Sequence, residues 1–124
     1  MEKGQKQVPL PETKPKPKWR QVIIKTEKQI EGIRKSSQLT KILLDMVEER
    51  IGEGVTSNEI DGWVYRETLA NGAIPAPLNY GHGQGRRRMP FPKSVCSSLN
   101  NVICHGIPNN QALQSGDIVN IDVT

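Results

Sequence analysis

The sequence predicts an α/β chain of the α+β kind, with two helices in its first half covering a sheet built from its second. Two observations carry this. Between Thr26 and Ala70, apolar residues recur at helical spacing behind two capping-box patterns. After Gly72 the character changes to short apolar runs broken by Pro, Gly and Asn, as in strands joined by tight loops.

A length of 124 residues bounds the chain to one domain. Its apolar fraction of 35% is low for a compact fold, and the shortage is local. The first twenty residues, MEKGQKQVPLPETKPKPKWR, hold almost nothing that packs in a core. They carry six of the 17 basic residues and two of the 13 acids, which leaves the remainder balanced at 11 against 11. The excess charge therefore belongs to a tail, and the folded part has no basic bias towards DNA. In the tail, the alternation Lys14-Pro15-Lys16-Pro17-Lys18 favours extended backbone, because Pro fixes φ and lacks a donor. Residues 1–20 read as a flexible Lys/Pro-rich linker, with an electrostatic contact to RNA as the sharper alternative.

No run approaches the ~18 apolar residues that span a bilayer, and no apolar run follows the basic N-terminus as in a secretory signal. Cys96 and Cys104 form no CxxC pair. A reduced, cytoplasmic protein is expected.

In chain order, Val22-Ile23-Ile24 predicts a short strand leading into the domain. Thr26-Glu27-Lys28-Gln29 has the form of a capping box, in which two side chains satisfy orphan amide donors at a helix start. Ile30, Ile33, Ser37, Thr40, Leu44, Val47 and Ile51 follow at helical spacing, widened by Leu43 and Met46, with Gly52 and Gly54 as stops. A second box, Thr56-Ser57-Asn58-Glu59, opens a helix with Ile60, Trp63 and Val64 on one side, ended by Asn71-Gly72. Ser94–Leu99 and Asn101–His105 are expected as short strands around an Asn-containing turn. Ile118–Thr124 is expected as a further strand, entered through Ser115-Gly116-Asp117.

Candidate chemistry is sparse. In a strand, Val119, Ile121 and Val123 share one face, with Asn120, Asp122 and Thr124 on the other. Asp122 is then either an acid on a solvated face or a carboxylate bound to metal, and one carboxylate alone makes no metal site. His105 ends an apolar run before a Gly/Pro turn, where scaffolds present functional side chains; a histidine bonded to nearby backbone is the plain alternative. Cys96, Cys104, His82 and His105 miss zinc-finger spacing. The segment Gly81–Pro90 joins glycines to Arg86, Arg87 and Arg88 but lacks a phosphate-loop pattern, so it reads as a mobile surface loop, with an arginine-mediated contact to a polyanion as the alternative.

Four ordered segments, read together, resemble the type I methionine aminopeptidase family. They are Gly72–Tyr80, Phe91–Cys96, Asn100–Pro108 and Gly116–Thr124. The resemblance runs from about Ile24 to the last residue. It implies the N-terminal half of a pita-bread fold, a curved and mainly antiparallel sheet with helices on its outer face. Residues 21–124 would be the N-terminal part of the catalytic domain, incomplete at the C-terminus.

The implied reaction is removal of the initiator methionine from nascent polypeptides. Two divalent metal ions (Co, Mn, Fe or Zn) would hold and activate a water. By motif match, Asp122 corresponds to the first metal-binding aspartate. His105 corresponds to the histidine that contacts substrate and stabilises the transition state. Tyr80, Phe91 and Cys96 correspond to residues lining the methionine side-chain pocket.

Two departures are visible. Gly81–Pro90 lengthens a link that is very short in the family, and the remaining metal ligands lie beyond Thr124, so the fragment itself is expected to be inactive. Alternative readings are a related proline-peptide peptidase, or a non-catalytic pita-bread protein that binds ribosomes or RNA. Ribosome contact through residues 1–20 is the partner expected of the tail.

Overall fold

The computed structural model describes residues 22–81 and 89–124. The tail 1–20, His82 and Arg86–Arg88 lie outside the described residues. Four elements follow in order: α1 (Glu27–Arg50), α2 (Ser57–Ala70), β1 (Cys96–Leu99) and β2 (Val119–Asp122).

Both helices start where the capping boxes predict. The Thr26 hydroxyl accepts from the Gln29 amide while the Gln29 side chain accepts from the Thr26 amide. Thr56 and Glu59 make the same reciprocal pair at α2. Each box satisfies two donors that a helix start leaves orphaned. Asn71 closes α2, and Gly72 follows at φ 69, the left-handed region that glycine adopts without strain.

The stripe expected on α1 is buried only in its C-terminal half. Leu43 and Val47 enter the core, flanked by Leu39, Met46 and Ile51, while Leu44 and Ile33 stay exposed. A helix of 24 residues is about 36 Å long and one of 14 about 21 Å, so α2 covers only part of α1. From Glu27 to Gln38 nearly every residue of α1 is exposed. The core itself joins Leu43 and Val47 to Ile60 and Val64 of α2, and to Val95 and Leu113.

β1 and β2 pair antiparallel, with Cys96 opposite Asp122 and Leu99 opposite Val119. Leu99, Ile121 and Val123 pack towards the helices, and alternation puts Cys96, Ser98, Asn120 and Asp122 on the other face. A polar lock holds the entry to β2. Asn100 (φ 51) donates its side-chain amide to Asp117 Oδ1 at 2.9 Å and accepts the Ile118 amide at 3.0 Å.

Two expected strands are absent. Val22–Ile24 is almost fully exposed and forms no strand; a strand needs a neighbour to satisfy its backbone, and none is present among the described residues. Asn101–His105 is also not a strand. The left-handed backbone at Asn100 and His105 (φ 51 and 53) breaks the extended geometry at both ends of that run. β1 and β2 are themselves shorter than the predicted spans Ser94–Leu99 and Ile118–Thr124.

Candidate active site

Three backbone connections gather the site on the face of the sheet away from the helices. First, Gly106 docks on the edge of β1 opposite β2. Its carbonyl accepts from Ser97 N at 2.9 Å, and its amide donates to the Ser98 hydroxyl at 3.1 Å. The approach is so close that a Cβ at Gly106 would lie 2.1 Å from the Ser97 oxygen, so only glycine fits. His105, next in the chain, is thereby fixed beside β1 with a left-handed backbone, a conformation that costs an L-residue about 1–2 kcal/mol.

Second, the loop after α2 meets the end of β2, where Ala76 N donates to Thr124 O at 3.2 Å. Third, two backbone bonds close the base of the Gly81–Pro90 segment. Asn79 N donates to Phe91 O at 2.9 Å, and Phe91 N donates to Tyr80 O at 3.0 Å. Tyr80 and Phe91 are thus neighbours in space although ten residues separate them.

The result is one open cavity of about 310 Å³ lined by Tyr80, Phe91, Cys96, His105 and Asp122. Ala76, Pro77 and Thr124 complete its wall. All five residues singled out from the sequence therefore line a single space. The lining is mostly apolar, with Asp122 and His105 as its ionisable groups besides the phenol and thiol.

Cys96 is buried while Cys104 is exposed, and both are free thiols. Burial pushes the Cys96 thiol above its ordinary range, with smaller contributions from the Asp122 carboxylate opposite and from Cys104. At neutral pH Cys96 is a neutral, soft wall group rather than a nucleophile.

Asp122 is exposed at the cavity, and its carboxylate accepts a hydrogen bond from the Thr124 hydroxyl at 3.5 Å. Among the described residues no three His, Cys, Asp or Glu side chains come together as a metal group would require. Among the described residues, Asp122 is the single carboxylate lining the cavity.

Ala76, Pro77 and Thr124 escaped the sequence reading as site residues. Thr124 had a signal, since it shares the alternating face of Asp122. Asp61, which holds the Phe91 end of the site, had none. Its Oδ1 accepts the Ser94 amide at 2.6 Å and its Oδ2 lies 3.6 Å from Lys93 Nζ, more than thirty residues along the chain.

Comparison with known proteins agrees with this architecture. The profile of metallopeptidase family M24 matches residues 31–124. A methionine aminopeptidase of Chlamydia trachomatis is 55% identical over 103 residues, which are 83% of this chain and 33% of that protein. Human methionine aminopeptidase 1D, mitochondrial, is 45% identical over 109 residues, 87% of this chain and 30% of that protein. The crystal structure of a methionine aminopeptidase from Rickettsia prowazekii superposes with a TM-score of 0.74 at 41% identity, over 83% of this chain and 38% of that one. The chain spans about a third of the length of these curated relatives. With the profile covering three-quarters of the sequence and the fold shared over 83% of it, the chain belongs to metallopeptidase family M24.

Proposed function

We propose that this chain is the N-terminal part of a methionine aminopeptidase, which removes the initiator methionine from nascent polypeptides. The supporting observation is the cavity. Its apolar, polarisable wall of Tyr80, Phe91 and Cys96 suits a flexible thioether side chain, and His105 and Asp122 share the same space.

The roles follow from the chemistry of each group. The wall takes the methionine side chain and excludes water from it. His105 donates a hydrogen bond to charge developing at the scissile amide, which an imidazole does near neutral pH. Asp122 offers one hard oxygen ligand to the two divalent ions that the family resemblance implies. Such ions polarise a carbonyl and lower the pKa of bound water. Under this proposal the other ligands come from outside the described residues. Nascent chains are the substrates, and residues 1–20 serve as a ribosomal contact.

The test uses a polypeptide that carries this segment and cleaves methionyl peptides. His105→Ala is expected to keep its metal while turnover falls by ~10²-fold or more, the usual loss when one transition-state donor is removed. Asp122→Asn should lose metal affinity, with activity partly regained at high metal concentration. Turnover and metal content are measured on both variants under the same conditions, beside the 124-residue chain. If His105→Ala loses metal in step with activity, the division of roles is wrong.

A further inference from the structure

The wall of the cavity is anchored from behind by a charge. Asp61 sits in the second turn of α2 with its side chain only 13% exposed, on the helix that supplies Ile60 and Val64 to the core. Its carboxylate points to the segment that connects Phe91 to β1. One oxygen takes the Ser94 amide at 2.6 Å, and the other faces the Lys93 ammonium at 3.6 Å. Lys93 is itself mostly covered, at 28% exposed. A carboxylate this enclosed is tolerated because both oxygens have partners, and its hydrogen bond to a backbone amide is of the strong, charge-assisted kind.

The segment is pinned at three points. Phe91 exchanges backbone bonds with Asn79 and Tyr80, Asp61 grips Lys93 and Ser94, and Val95 is fully buried in the core. Phe91 and Cys96, which both face the cavity, lie on either side of the Asp61 grip. Of the three restraints, the carboxylate is the one that ties this stretch to a helix by polar contacts, whereas Val95 does so by packing.

We infer that Asp61 is a positioning residue that sets the width of the cavity by holding the Lys93–Ser94 backbone, and with it Phe91, against α2. It touches no substrate. The role rests on the reading of the cavity as a side-chain pocket, and it adds a determinant of which side chain fits. Without the grip, the nearest anchors of Phe91 are its bonds to the neighbouring loop and the buried Val95 four residues on, and the wall between them shifts more freely. An apolar pocket separates side chains by their fit, at roughly tenfold or more for one methylene. A wall that shifts loses that discrimination before it loses chemistry.

The chain contains a single phenylalanine, so a fluorinated phenylalanine reports on Phe91 alone. Fluorine NMR of the labelled 124-residue chain should show the Phe91 resonance displaced or broadened in Asp61→Ala. Asp61→Asn, whose amide oxygen still accepts from Ser94, should largely restore it. Thr56→Ala, which removes the cap of the same helix without touching Asp61, Lys93 or Ser94, controls for general loosening and should leave the resonance in place.

In a peptidase-active polypeptide carrying the segment, Asp61→Ala should lower the preference for methionyl over leucyl peptides, as the ratio of kcat/KM, by about tenfold. Metal content should be unchanged. An unmoved Phe91 resonance in folded Asp61→Ala, or equal displacement in Thr56→Ala, overturns the inference, as does an unchanged preference ratio. If the unaltered polypeptide shows no preference for methionine, the reading of the pocket fails, while the fluorine experiment still decides what Asp61 holds.

Discussion

At the scale of single residues, the site depends on groups with no chemistry of their own. Gly106 is the clearest case, because its amide and carbonyl lash the His105 turn to β1 at a distance no side chain permits. Gly106→Ala must push two backbones apart, and overpacking of this kind costs about 1–3 kcal/mol or more. We expect the urea midpoint to fall accordingly; a midpoint unchanged within error would mean that the turn relaxes freely. Legibility divides along the same line. His105, Asp122 and Cys96 were singled out because their motifs resemble those of a family; pattern alone left His105 and Asp122 with plain alternatives and gave Cys96 no site. Asp61 was invisible, since its partners lie more than thirty residues away and an acid on a helix is the commonest of surface residues. Three-dimensional proximity, not composition, makes it an anchor.

At the scale of elements, the helix starts were readable to the residue because capping is local chemistry, complete within four positions. Strand ends were not, because a strand is defined by a partner that local sequence does not contain. The two caps should differ in weight. Thr56 starts the helix that supplies Ile60 and Val64 to the core, whereas Thr26 starts the exposed half of α1. Thr56→Ala is expected to cost about 1 kcal/mol of global stability. Thr26→Ala should register mainly as faster amide exchange in the first turns of α1.

The Thr56 cap also carries a pH signature. The Thr56 backbone amide, and then its hydroxyl, hold the Glu59 carboxyl below its ordinary range. The unfolded chain therefore takes up the proton first on acidification. The stabilisation is present above the usual glutamate value near 4.5 and is lost as pH falls through the lowered folded value. Asp117 contributes with the same sign, held down by the Asn100 side chain and the Gln114 amide. Melting temperatures of Glu59→Gln should consequently fall less between pH 7 and pH 3 than those of the unaltered chain. An equal fall would remove Glu59 from the account.

Over the whole molecule, the distribution of charge and exposure separates a packed unit from what surrounds it. Binary patterning predicted two helices over a sheet, and the core forms at their crossing with β1 and β2. It did not predict that half of α1, Ile74 and Ile33 would remain uncovered, since pattern marks a residue as apolar without naming what covers it. The lysine-rich residues 1–20 hold the entire charge excess of the chain. As a ribosomal contact their attachment must weaken with salt, because each neutralised phosphate releases counterions. Deleting them should reduce co-sedimentation with ribosomes at low salt and leave turnover of a short methionyl peptide unchanged in an active polypeptide. Equal sedimentation with and without them would return the segment to a linker.

The pair of backbone bonds joining Asn79 and Tyr80 to Phe91 has a consequence for how this protein tolerates change in length. They work as a clasp, which holds Tyr80 and Phe91 side by side at the two ends of the intervening span. Lengthening that span costs only the closure entropy of a longer loop, about 0.6 kcal/mol for each doubling. Codons can be gained or lost there, and a tag or reporter domain spliced in, with the clasp keeping the two aromatic side chains in register.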